Sequence, residues 1–139
     1  MQFAQICDRV EIDAAKARAL DTSTLPGIWI NSNPDTNGIA RVLMTETTAG
    51  KLTAQVYAIG PEGLIDWGEA EVSVFTSSPS SEVAAGFTCR YDFGFAETVL
   101  QGMILKGLIV LAQFHSFKDG SGRADYFVRE YFALAHGRY

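Results

Sequence analysis

Glu130 is the ionisable residue that stands out, because it interrupts an apolar strand face. It lies in Arg123-Ala-Asp-Tyr-Phe-Val-Arg-Glu-Tyr-Phe-Ala-Leu134, where alternation along a strand puts it with Ala124, Tyr126, Val128, Phe132 and Leu134. A carboxyl on an apolar face is pushed toward its neutral form and can then give or take a proton near neutrality. The competing uses are an ion pair with Arg41, Arg90 or Arg123, or a bulge that turns the group to solvent. His115 and Tyr91 are the other acid–base candidates, His115 on the face that also carries Ile109, Leu111 and Phe117. Cys89 could meet His115 as a thiol–imidazole pair, although a cysteine in an alternating strand reads first as a small buried hydrophobe. His115 and His136 are the only histidines, which excludes a His-rich metal site, and no metal is expected. Gly120-Ser-Gly122 is too short for a phosphate-binding loop and precedes a strand. No cofactor is expected.

A second group of residues is aromatic or soft. Trp29, Tyr57, Trp67, Phe93, Met103, Phe114 and Tyr126 are enough to line a cavity, and aromatic walls with few polar groups suit a small apolar or aromatic molecule. The plainer use of the same side chains is to fill the inside of a small barrel.

These residues need strands to position them, and the chain supplies about eight. The spacing of β-branched and aromatic residues predicts strands over 28–31, 39–46, 51–59, 70–76, 84–93, 95–105, 107–117 and 123–134, separated by Gly, Pro, Asn and Ser clusters. Gly60-Pro-Glu-Gly63 reads as a loop leading into Asp66-Trp67-Gly68, itself read as a turn with an anchoring Trp. With no helix between strands, the connections are hairpins, and closure into an antiparallel up-and-down β-barrel removes the exposed edges. Phe3, Ile6, Val10, Ala14, Ala17 and Leu20 recur at helical spacing. The expected organisation is therefore a single domain over 1–139, with a helical arm over 1–24 and a barrel over 25–139. The strand at 108–117 is apolar on both faces, Leu108, Val110, Ala112 and Phe114 on one and Ile109, Leu111 and Phe117 on the other. A barrel strand needs one apolar face, so the second must be covered, by the N-terminal arm or by a second subunit, and a homodimer through this surface or one beside it is expected.

A chain of 139 residues can bury a real core as one domain, and 47% hydrophobic with 19% charged residues is a globular composition. A net charge of −5 argues against binding a nucleic-acid backbone. No run of about 18 apolar residues is present, so no membrane partner is expected. The first residues lack the pattern of a signal peptide, and Cys7 and Cys89 are too few for a disulfide framework, so a cytoplasmic setting is expected. The initial Met and uninterrupted pattern read as a complete small protein.

Gly27-x-Trp29 at the start of the first strand resembles the opening of calycin-type barrels, the lipocalins and avidins. That resemblance implies that Trp29 closes the base of the barrel and stacks on an arginine of the last strand, for which Arg129 is the match. The later lipocalin loop motifs and the avidin biotin-contacting residues are not evident. A longer pattern, Gly27-x-Trp29-x-Asn31, Asn33-Pro34-Asp35, Gly38-Ile39-x-Arg41-Val42 and Asp66-Trp67-Gly68, is similar to small, largely uncharacterised bacterial β proteins and carries no activity with it. The leading expectation is a barrel holding a small apolar or aromatic ligand. The alternatives are a cofactor-independent biosynthetic cyclase or isomerase using Glu130, His115 and Tyr91, and a lectin-like or assembly module meeting a partner through Trp67 and the loops.

Overall fold

The computed structural model describes residues 20–48 and 51–135. They form a closed barrel of eight strands, each hydrogen-bonded to its sequence neighbours, with the last returning to the first. The strands are β1 (Gly27–Asn31), β2 (Ile39–Thr48), β3 (Lys51–Gly60), β4 (Gly63–Thr76), β5 (Ala84–Asp92), β6 (Ala96–Leu105), β7 (Leu108–Phe117) and β8 (Tyr126–Leu134). All pairs are antiparallel, as hairpin connections require. The helical arm expected over 1–24 lies almost wholly outside the described residues. Residues 20–24 are not helical, and Asp21 bridges Val83.

Alternation decides what faces inward. Leu52, Ala54, Val56 and Ala58 of β3 are all buried, as are Phe87, Cys89 and Tyr91 of β5. On β7 the inward residues are Ile109, Leu111, Gln113 and His115, since Gln113 and His115 make their hydrogen bonds to inward-facing groups. The inner core includes Leu25, Trp29, Met44, Leu52, Phe87, Leu100 and Phe132. Gly102 is needed there because the ring of its cross-strand neighbour Phe87 lies against it, in the space a Cβ at Gly102 would fill.

Trp29 forms part of the floor. It is 2% exposed, and its indole N–H donates to the carbonyl of Leu25 at 2.8 Å, a residue that is itself fully buried. Arg129 does not stack on it. Arg129 is exposed on the outer face opposite Ala112, whereas Trp29 pairs with Leu134. Alternation on β8 makes 129 outward once Glu130 and Phe132 are inward, so the lipocalin-like arginine contact is replaced by a tie to the lead-in chain. Asn31 fixes the far end of β1, donating to the Ile39 carbonyl at 2.9 Å and accepting from the Asn33 N–H at 2.8 Å.

The Asp66-Trp67-Gly68 turn expected from sequence is instead a bulge inside a 14-residue β4. Gln55 pairs with Glu69 and Tyr57 with Asp66, so Trp67 and Gly68 together stand opposite Val56. The extra residue reverses the alternation: Ala70 points inward, and without the bulge Asp66 would also point inward and Trp67 outward. Gly68 takes φ +86°, a conformation other residues adopt only with strain. The Asp66 carboxylate accepts from the Gly68 N–H at 2.8 Å, and the Tyr91 hydroxyl bridges the carbonyls of Gly68 and Ala54 at 2.9 and 3.1 Å. The three-residue motif is thus a device for turning Trp67 into the barrel.

Candidate functional site

At the end of the barrel opposite the Trp29 floor lies a cavity of about 450 Å³. The β1–β2 loop (Thr36, Gly38), β3 (Ala58), the bulged part of β4 (Ile65, Trp67), β7 (Gln113, His115) and β8 (Tyr126, Val128, Glu130) all contribute to its lining. Glu130 and His115, picked out in the sequence, therefore share one cavity, together with Trp67 and Tyr126.

Glu130 is half-buried and both its oxygens are engaged. Thr36 Oγ1 donates to Oε2 at 2.7 Å and Gln113 Nε2 donates to Oε1 at 3.1 Å. The Thr36 hydroxyl in turn accepts from the Gly38 N–H at 3.1 Å, which aims its own proton at the carboxylate. Two donors on two oxygens is the pattern of an acceptor-only carboxylate. Its expected arginine partners are committed elsewhere. Arg41 lies 5.0 Å over the Tyr57 ring, Arg90 pairs with Glu97 at 3.3 Å, and Arg123 pairs with Asp119 at 2.8 Å while covering Phe117. Neither a structural ion pair nor a turn to solvent describes Glu130.

His115 stacks on Tyr126 with ring centroids 4.6 Å apart, and its Nδ1 is 2.8 Å from the hydroxyl of buried Thr98. Burial lowers its pKa, so the ring stays neutral to lower pH than a free imidazole. The thiol–imidazole pair does not form, since Cys89 lies opposite Leu100 and His115 opposite Thr98. Burial also pushes the Cys89 thiol up to about 12, the reverse of an activated thiolate.

The remaining candidates divide by face. Trp67 meets Tyr91 and Phe93 edge to face at 5.4 and 5.0 Å, an aromatic wall beside the cavity. Tyr91 is buried behind that wall, its hydroxyl held by the two carbonyls of the bulge region, and burial raises its pKa above the ordinary phenol value. Three residues expected to line the cavity point out of the barrel. Tyr57 lies under Arg41 on the outer face, Met103 is over half exposed, and Phe114 stacks on exposed Phe127 at 5.5 Å. Trp29 belongs to the floor rather than to the cavity. Sequence reasoning missed Thr36 and Gln113, the groups that hold Glu130. Gln113 carried a signal, an amide within an otherwise apolar strand run, but Thr36 sat in a turn cluster and carried none.

Together these features define a class: a closed eight-stranded antiparallel barrel with a packed floor and a cavity at the other end. Comparison with protein-family models, with curated proteins and with solved structures found no match. Among the described residues no helix is long and apolar enough to cross a membrane.

Proposed function

We propose that this barrel binds a small, mostly apolar or aromatic molecule in the cavity beside Trp67, in the manner of a calycin-like binding barrel. The observation that carries the reading is the cavity itself. Its volume of about 450 Å³ suits one small ligand, and apolar walls with a few converging polar groups are what such sites present. Ile39, Ala58, Ile65, Trp67 and Val128 supply the walls; Glu130, Gln113, His115 and Thr36 supply the polar points. Trp67 is spent on the aromatic wall, which favours a cavity over the lectin-like reading. The enzyme alternative, a cyclase or isomerase that shapes its substrate, rests on Glu130 and His115 sharing this space. The buried Cys89 thiol accords with a reducing, cytoplasmic setting.

The test uses a neutral aromatic probe, N-phenyl-1-naphthylamine, whose fluorescence rises on leaving water. Saturable binding is expected, abolished by Ala58→Phe, which places a ring in the cavity without touching the floor. Mass spectrometry of the denatured wild-type protein should reveal a co-purifying molecule that the filled variant lacks. A probe that never saturates, or that binds the filled variant equally well, would count against the reading.

A further inference from the structure

The cavity has a charge that its lining leaves unanswered. Among the described residues that line it, only Glu130 bears a formal charge with histidine taken as neutral. The hydrogen bonds it receives come from an alcohol and an amide, which orient a carboxylate without neutralising it. A carboxylate offers about four acceptor positions, so two remain for a ligand. Trp67 and Tyr126 contribute aromatic rings to the same lining, and aromatic rings can attract cations electrostatically. The chain as a whole carries −5, a field of the same sign as the site.

Resting on the binding function above, we propose that the molecule held in this cavity is an organic amine: an apolar or aromatic body carrying a protonated nitrogen that donates to Glu130. The body lies along Ile65, Trp67 and Val128, and the ammonium group supplies the positive charge that none of the described lining residues does. A neutral ligand would leave the carboxylate desolvated and uncompensated, and a carboxylic acid would place like charges side by side. His115 is the weaker source of positive charge, because burial lowers its pKa and favours the neutral ring.

Three ligands of one shape decide the matter: 1-naphthylmethylamine, 1-naphthylmethanol and 1-naphthoate, each competing against bound N-phenyl-1-naphthylamine. The amine should displace the probe at about one-tenth the concentration the alcohol needs or less, as a charge-assisted hydrogen bond implies. Naphthoate should be weakest. Glu130→Gln should bring amine and alcohol to equal affinity, each competition being corrected for the probe's own affinity for that variant, with far-ultraviolet circular dichroism confirming that the variant folds. If Glu130→Gln does not fold, the wild-type ranking alone decides. Equal displacement by amine and alcohol, or an amine preference that survives in a folded Glu130→Gln protein, would overturn the proposal while leaving the binding function standing. Absence of probe binding altogether would instead remove the binding function itself.

Discussion

Glu130 and Cys89 face the same interior and do opposite things with burial. Glu130 is a polar group given donors, and Cys89 is a weak acid given none. Burial pushes the Cys89 thiol from an ordinary value of 9.0 up to about 12. Between those values the unfolded chain has released the proton and the folded chain has not. The unfolded state then binds fewer protons, so stability falls as pH rises, by up to about 1.4 kcal/mol per pH unit. Tyr91, raised by burial first and then by the neighbouring Cys89 charge, steepens the fall further. Urea midpoints measured from pH 8 upward should show this slope, and Cys89→Ala should flatten its first part. An unchanged slope would mean the thiol is not sealed from water. Trp29 belongs to the same scale. Its removal takes a buried aromatic from the floor together with the hydrogen bond to Leu25, so Trp29→Ala should lower stability by about 3–5 kcal/mol in urea melts. A loss below about 1 kcal/mol would contradict its place in the floor.

Among the elements, strand positions were legible in the sequence and strand faces only partly so. Where one face is polar, as with Thr88, Arg90 and Asp92 beside Phe87, Cys89 and Tyr91, alternation alone assigns inside and outside. On β7 both faces are apolar, so no pattern said that Phe114 points out and Gln113 in. Register with β6 and β8 made that choice. β4 failed for another reason, because an inserted residue breaks the period that strand reading depends on. Asp66 and Gly68 are turn formers, and here they shape a turn-like irregularity within a ladder. Gly68→Ala keeps the bulge hydrogen bonds but places a Cβ in a left-handed conformation. It should cost about 1–2 kcal/mol and weaken probe binding as Trp67 shifts, whereas Gly107→Ala, also left-handed but in the β6–β7 turn at the floor end, should leave probe binding intact. Thermal melts and probe titrations on the two variants check both halves.

The whole molecule presents one anomaly, an outer face of β6–β8 that is apolar. Met103, Leu105, Leu108, Phe114, Phe127 and Tyr131 are all exposed there, in contrast to the Glu69, Glu71 and Ser73 of outer β4. A second copy covering this face is the outcome expected, giving a two-chain mass by light scattering at micromolar concentration. Phe127→Asp, on an exposed ring outside the core, should return it to a one-chain mass with its circular dichroism unaltered; a one-chain mass for the unaltered protein would sink the dimer. The seam between β1 and β8 is the remaining global feature, joined by Trp29↔Leu134, Ile30↔Ala133 and Asn31↔Phe132, with Thr36 and Glu130 linked across it above. Every other strand pair joins sequence neighbours, so on a ribosome seven strands can already pair while the eighth is still unmade. Until β8 emerges, β1 and β7 are bare edges, the cavity lacks its carboxylate, and the nascent sheet can recruit a foreign strand. The strand made last of the eight thus ends the hazard of misassembly and completes the cavity in the same step.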